Sequence, residues 1–188
     1  MNEIFFTSDT HFSHKNIIIY CERPFKDIDE MNECIIQNWN DTVSKTDIVY
    51  HLGDVTFSKP SISREILSRL NGHVILIPGN HDDKRVLKVC SEFFDIDTTS
   101  DLCVNINEHK IFLSHDYRKH YNKKGFLHFH GHEHGTDLVK SYNMSYDEVR
   151  KRFKNEKWFG VKNNAIEVGV DLWDYKPVHI EDILKKLI

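Results

Sequence analysis

The chain has 188 residues, of which 29% are charged and 39% hydrophobic, and its formal net charge is −4 with histidine neutral. That length and composition suit one globular domain with a buried core. The acidic balance excludes a broad basic surface for nonspecific nucleic-acid binding, and the lack of any apolar run of about 18 residues excludes a membrane-spanning helix.

The first strand begins by Ile4 and meets a polar cluster at Asp9. That leaves no room for a cleaved leader, so a cytoplasmic location is expected. After the Asp9–Lys15 turn a short helix is expected over Ile17–Cys21, stopped by Pro24. Asp27 or Asp29 can cap the next helix, whose Ile28, Met31, Ile35, Trp39 and Val43 fall on one face. A strand at Ile48–His51 follows. A helix over Ser61–Leu70 would turn Ile62, Ile66, Leu67 and Leu70 inward and end at Asn71-Gly72. Strand Val74–Ile77 stops at Pro78-Gly79, and a helix runs from about Asp83 to Phe93. Extended segments at Ile96–Ile106 and Lys110–Ser114 are joined by a turn at Asn107-Glu108, and Phe126–His130 is another strand. Ser145-Tyr146-Asp147-Glu148 is a capping box that starts a helix reaching about Asn155. Ile166–Val170 reads as the final strand and Glu181–Leu187 as the final helix. The alternation, followed by consecutive strands, predicts an α/β sandwich built on a mixed sheet or a pair of sheets.

Thirteen histidines are present, and many stand in short clusters just after the apolar runs. The clusters read Asp9-Thr10-His11, Gly53-Asp54, Gly79-Asn80-His81-Asp82, Ser114-His115-Asp116 and Gly131-His132-Glu133-His134. Strands that each end in nitrogen and oxygen ligands point to one site assembled where those strands terminate. Imidazole and carboxylate without thiolate suit manganese, iron, nickel or zinc. Two aspartates, an asparagine and four or more histidines are too many for one tetrahedral ion. They suit two ions sharing a carboxylate, which can bind both oxygens of a phosphoester and generate hydroxide between them. The four cysteines, Cys21, Cys34, Cys90 and Cys103, form no C-x-x-C pair and lie outside the clusters; they are expected to be reduced and mostly buried. Neither H-E-x-x-H nor H-x-E…C-x-x-C occurs, against metalloprotease and deaminase chemistry.

The ordered series D-x-H, G-D, G-N-H-D, H and G-H-x-H, from Asp9 to His134, resembles the calcineurin-like metallophosphoesterase superfamily. The whole chain also resembles a group of small bacterial and phage phosphoesterases that open T-S-D-T-H-F, here Thr7–Phe12, and end near G-V-D-x-W, here Gly169–Trp173. The resemblance implies a metallophosphoesterase-like β-sandwich of mixed sheets flanked by helices, in four α/β/β/α layers. It implies that Asp9, His11 and His134 hold a first divalent metal ion, that Asp54 bridges, and that Asn80, His115 and His132 hold a second, with manganese favoured and iron, nickel or zinc as alternatives. His81 would face the substrate and donate a proton or hydrogen bond to its oxygen, oriented by Asp82. The sequence departs from the family where a polar residue commonly stands three positions after the G-D aspartate: here it is Phe57.

The expected activity is metal-dependent hydrolysis of phosphoesters by direct attack of hydroxide, phosphodiesters of nucleotide type being favoured over monoesters. A phosphatase and a non-catalytic metal-binding scaffold are the alternatives. An all-helical HD-type phosphohydrolase, prompted by His81-Asp82, conflicts with the strand preceding that pair. His14, Asn16, Tyr117 and Arg118 flank the clusters and are candidate substrate contacts. His51 reads as structural, and one of His128 and His130 as a core or supporting residue. His73, His109, His120 and His179 read as surface histidines. The chain is one domain over 1–188 with a helical insertion at about 138–164. Five positive charges between Arg150 and Lys157 read as a solvated helix face or as an attractor for an anionic substrate, such as a nucleotide or a nucleic-acid end.

Overall fold

The computed structural model describes residues 2–99, 101–120, 125–155 and 164–187. Strands β1 (Ile4–Thr7), β2 (Ile48–His51), β3 (His73–Leu76) and β4 (Asp95–Ile96) run parallel, and β9 (Val178–His179) pairs antiparallel with β1, in the order β4-β3-β2-β1-β9. A second sheet has the order β5-β6-β7-β8 from β5 (Asp101–Ile106), β6 (His109–Ser114), β7 (Leu127–His130) and β8 (Ala165–Glu167). Here β5 and β6 are an antiparallel hairpin, while β6, β7 and β8 are parallel. The hairpin turns at Asn107 and Glu108, with φ of 49° and 66°. Two consecutive left-handed residues match the right-handed twist of the flanking strands.

The sheets stack through apolar side chains that alternate along each strand. Phe6 of β1 meets Phe129 of β7 edge to face at 4.9 Å, and Leu52, Ile77, Ile111, Leu113 and Ile166 complete this layer. The opposite face of the first sheet presents Val49 and Val74 to Trp39, Leu67 and Val89. These come from α2 (Ile28–Thr42), α3 (Pro60–Leu67) and α4 (Lys84–Cys90). Helix α2 starts where Asp27 accepts a hydrogen bond from the Glu30 amide at 2.9 Å; Asp29 lies inside its first turn. Two mixed sheets flanked by helices are therefore the fold expected.

Several local expectations change. Helix α3 begins at Pro60, which puts Ile62 in the first turn and leaves it exposed, while Ser63, Ile66 and Leu67 turn inward. The segment read as a final strand ladders with β7 through Glu167 and adds a single bridge from Gly169 to Ser8, before Val170–Leu172 winds into a 3₁₀ turn. The last strand is the two-residue β9. Residues 138–155 of the expected insertion hold most of α5 (Thr136–Tyr142) and all of α6 (Tyr146–Asn155). The capping box forms as read: Ser145 N–H donates to Glu148 Oε2 at 2.8 Å, and the Glu148 amide donates to Ser145 Oγ at 3.3 Å. The insertion's 156–163 portion, with Glu156 and Lys157 of the basic run, lies outside the described residues. Val149 and Phe153 of α6 and Ile183 of α7 (Ile180–Leu187) close the inter-sheet core. The chain alternates strand and helix so that β1, β2, β3, β6 and β7 all end where ligand-bearing loops begin, the usual place for a site in such sheets.

Candidate active site

The loops at those strand ends are zipped together by main-chain hydrogen bonds. Asp9 N donates to Gly53 O at 2.9 Å, His11 N to Asp54 O at 3.1 Å, and Gly131 N to His115 O at 3.0 Å. Two glycines are needed for closeness: a Cβ on Gly79 would collide with the Asp54 carboxylate and amide, and one on Gly131 with Ser8 Oγ and Asp9 Oδ2. Five site residues adopt left-handed backbone: Asp9, His11, Asp54, His132 and His134, with φ between 49° and 78°. Such conformations cost a non-glycine residue about 1–3 kcal/mol each, and they persist where the surrounding structure dictates them.

The side chains gather into two groups that share Asp54. In the first, His11 Nε2 stands 3.8 Å from Asp9 Oδ1, 3.6 Å from Asp54 Oδ2 and 3.3 Å from His134 Nε2, and His134 Nε2 is 3.7 Å from Asp9 Oδ1. In the second, His115 Nε2 lies 3.4 Å from Asp54 Oδ2, 2.9 Å from Asn80 Oδ1 and 3.2 Å from His132 Nδ1. Asn80 Oδ1 is also 2.9 Å from His132 Nδ1. All seven ligands expected from the sequence thus converge. Asp9 Oδ1 is buried with no hydrogen-bond partner, which is costly for a carboxylate unless something cationic meets it. This orphaned oxygen among imidazole nitrogens and a shared carboxylate fits a divalent cation, and imidazole with carboxylate suits manganese, iron, nickel or zinc, with the Cys21 thiol standing beside His134 and Asp171.

The carboxylates draw positive charge to the site. Burial alone would push the His115 ring down, but its hydrogen bond to Asp54 and the charges of Asp9 and Asp54 bring it up to about 9. His134 rises well above the usual imidazole range, because the Asp9 charge and the bond to Asp171 outweigh burial. Burial would raise Asp54, and the His115 bond and charge turn it downward instead.

Behind the first group stands a support that the sequence reading did not assign. Asp171 Oδ2 accepts from His134 Nδ1 at 2.8 Å, fixing that ring so that Nε2 points at Asp9. Arg23 grips both oxygens of Asp171 at 2.8 Å and donates to the carbonyls of Asp9 and Thr10 at 2.8 and 3.1 Å. The guanidinium is fully buried. Burial raises the Asp171 carboxyl, and the charges of Arg23 and His134 pull it down to about 2. The signals were slight: Asp171 lies in the G-V-D-x-W segment, and Arg23 is a lone cation before Pro24. Glu167 is a second buried acid nearby. It accepts from the Gly135 amide at 3.0 Å, and burial together with the Asp9 charge holds its carboxyl well above the usual range.

Asp82 does not orient His81. Its oxygens accept from the amides of Asp54 at 2.7 Å, Gly79 at 2.9 Å and Val55 at 3.0 Å, so it braces the loop that carries the shared carboxylate. Adjacent side chains diverge in this turn: His81 is exposed, its amide bonds Asp54 Oδ1 at 2.9 Å, and its ring lies 5.9 Å from that of His11. Phe57 packs among these rings, 3.9 Å from His14 and 4.9 Å from His81. His14 is half-buried beside the site, while Asn16 is exposed on α1 (Lys15–Tyr20) with no hydrogen bond to the ligand groups. Tyr117 donates to Asp137 at 3.1 Å. Arg118 sits on the rim, bonded to Asp116 and 2.7 Å from His132 Nε2. Arg150 bonds the carbonyls of Cys21 and Glu22 and so joins α6 to the loop after α1.

Three other histidines are structural. His51 is buried against Thr10 Oγ1 at 3.1 Å. Both His128 and His130 are buried, the former with Ser114 Oγ at 2.8 Å and the latter with the Gly131 carbonyl at 2.9 Å. Of the surface set, His73 is exposed and faces Asp95, while His179 is part-buried against Glu3 and the Phe5 ring; the His120 side chain lies outside the described residues. Cysteines Cys21 and Cys90 are buried, Cys34 is half-buried and Cys103 is exposed, so only half of the four match the buried expectation. No helix among the described residues is long and apolar enough to cross a membrane.

With this geometry in place, a family model described as calcineurin-like phosphoesterase matches residues 3–173. An uncharacterized protein of Methanocaldococcus jannaschii is 38% identical over all of this chain and 92% of its own length. A glycerophosphodiester phosphodiesterase of Enterobacter lignolyticus is 36% identical over 81 residues, 41% of this chain and 28% of that protein. A solved structure of an Aquifex aeolicus protein of unknown function superposes with a TM-score of 0.72 at 27% identity, covering 100% of both chains.

Proposed function

The chain belongs to the calcineurin-like phosphoesterase family, and on that footing we propose that it is a two-metal phosphodiesterase. The observation that carries this reading is the pair of ligand groups joined at Asp54, with Asp9 Oδ1 buried and unpartnered between His11 and His134. Asp9, His11, His134 and Asp54 would hold one divalent ion, and Asp54, Asn80, His115 and His132 the other. When bound, such ions neutralise charge on phosphoryl oxygens and make water nucleophilic at neutral pH.

The chain's own groups do the rest. The bond from His134 to Asp171, held by Arg23, keeps Nε2 aimed into the site. Asp82 holds the amides of the Asp54 loop, so the shared carboxylate is preorganised. His81 is exposed at the mouth and its ring makes no side-chain hydrogen bond, which leaves it able to protonate the departing oxygen. Assistance to a poor leaving group favours diesters over monoesters, and the local likeness to a glycerophosphodiester phosphodiesterase points the same way. The phosphoryl group would pass directly to water, with no covalent intermediate on the protein.

The experiment is hydrolysis of a chromogenic phosphodiester and the matching monoester with manganese, nickel, zinc or magnesium, run beside Asp54→Asn. The diester should be favoured, and Asp54→Asn should lose on the order of 10³-fold in kcat, the scale of several kcal/mol of charge stabilisation. Preference for the monoester would make the protein a phosphatase. A trapped phosphoenzyme would refute direct transfer, and no metal-dependent turnover would refute the enzyme.

A further inference from the structure

We infer that Phe57, His14 and Tyr20 form an aromatic ledge at the mouth of the site that receives a nucleobase carried by the phosphoester. The inference rests on the phosphodiesterase reading above and adds the substrate class: nucleoside phosphodiesters, in preference to glycerol or methyl diesters.

Four observations carry it. First, the ledge is built. Phe57 N donates to Phe12 O at 2.9 Å, and Phe12 N to Val55 O at 2.9 Å, so the ladder that fixes His11 and Asp54 also fixes His14 and Phe57. Second, the His14 and Phe57 rings stack at 3.9 Å and 13°, each covering one face of the other and leaving an outer face and edges, and Tyr20 meets His14 edge-on at 6.4 Å. Third, this surface is open. Phe57 is 40% exposed, Tyr20 64% and the neighbouring Ile19 70%, three of the six large hydrophobics exposed among the described residues. Exposed aromatic rings gathered beside a site mark binding more often than a lone exposed leucine does. Fourth, the ledge adjoins the chemistry. Phe57 lies 5.2 Å from the ring of His11 and 4.9 Å from His81, which puts it within reach of a group esterified to a phosphoryl held there.

The shape selects the occupant. An acyl chain needs a concave apolar slot, because burial on all sides is what stabilises it. An open stack of rings with imidazoles at its border suits a planar heteroaromatic, which extends the stack through its face and leaves polar edges in water. The position where the family commonly places a polar residue carries this ring instead, so the departure at Phe57 has a use.

The test compares adenosine 5′-(methyl phosphate) with glycerol 3-(methyl phosphate) as substrates of the manganese-loaded full chain. It also measures binding of adenosine monophosphate and glycerol phosphate by calorimetry. In Phe57→Leu the nucleoside-to-glycerol ratio of kcat/KM should fall about tenfold, equivalent to about 1.4 kcal/mol, mostly through KM. Phe57→Trp should keep the ratio, and Tyr20→Ala should lower it about threefold. Equal losses on both diesters, or a larger loss on the glycerol diester, would overturn the ledge. Tyr20→Ala, altered at a more exposed position, carries the same comparison should Phe57→Leu unfold. If the wild type cleaves neither diester, the phosphodiesterase reading fails and the calorimetry decides the ledge alone. A preference for the nucleotide that Phe57→Leu erases supports it, and equal affinities reject it.

Discussion

The two halves of the ligand cluster are built differently. The half around Asp9, His11 and His134 is deep: Asp9 is 0% exposed and His11 2%, and behind them lie the buried Arg23 and Asp171. The half around Asn80, His115 and His132 is open: Asn80 is exposed, His132 is half-buried, and the nearest cation, Arg118, is on the rim. Asp54 belongs to both, and Asp9 of the deep half also stands within reach of His115. A pocket whose ligands are locked by buried charge needs little reorganisation to bind an ion, whereas an open one can exchange its ion and admit a substrate. The deep half should therefore bind metal tightly and first, and the open half weakly and second.

The sharpest way to break this contrast is Asp171→Ala. It strands the Arg23 guanidinium in the core, an uncompensated charge that costs about 3–5 kcal/mol of stability. It also frees the His134 ring, and losing a carboxylate that orients a ligand histidine lowers metal affinity about 10–100-fold. Denaturant unfolding and metal titration should show the first ion weakened and the second unchanged within error. Equal weakening of both would mean that the halves are not independently supported.

Much of this arrangement was legible in the chain, and the reasons for the exceptions are physical. The seven residues that converge on Asp54 could be found because each sits just past a short apolar run, and parallel strands deliver their C-terminal ends to one edge. Arg23 and Asp171 could not, since 148 positions separate them and neither stands in a periodic pattern; their pairing exists only after β1, α1 and the 3₁₀ turn meet. Asp82 was misread through adjacency: next to His81 in sequence, it turns to three backbone amides. The strand β9 and helix α5 are too short for periodicity to register, and Ile62 misled because α3 starts earlier than its hydrophobic spacing suggests.

Protons offer a gentler probe of the open half. In the metal-free protein the His115 ring titrates at about 9, so near pH 7 it carries a proton on the nitrogen that a metal needs. Binding must expel that proton, and the sign follows: apparent affinity rises with pH by up to about tenfold per unit and levels off above about 9. Calorimetry in buffers of different ionisation enthalpy should detect proton release as the metal-free protein is loaded at pH 7, beginning with the first ion, because a cation at Asp9 and Asp54 cancels the charges that hold the ring up. An affinity flat between pH 6.5 and 9 would remove His115 from the ligand set.

The smallest effect concerns the rim. Arg118 Nη2 lies 2.7 Å from His132 Nε2, and a guanidinium can only donate, so the bond requires a lone pair on Nε2. A neutral ring with that lone pair carries its hydrogen on Nδ1, the nitrogen that faces Asn80 and His115. A metal at Nδ1 requires the opposite tautomer, with hydrogen on Nε2, where two donors would then confront each other. The Arg118 bond therefore opposes metal binding at the open half and must break when the ion enters, which releases a cation beside the substrate. Removing an exposed hydrogen bond is worth about 1 kcal/mol, so Arg118→Ala should tighten the second ion roughly fivefold while weakening KM for the anionic ester. The two opposite signs separate this reading from a merely structural role, which would lower both, and leave the first ion as an internal control.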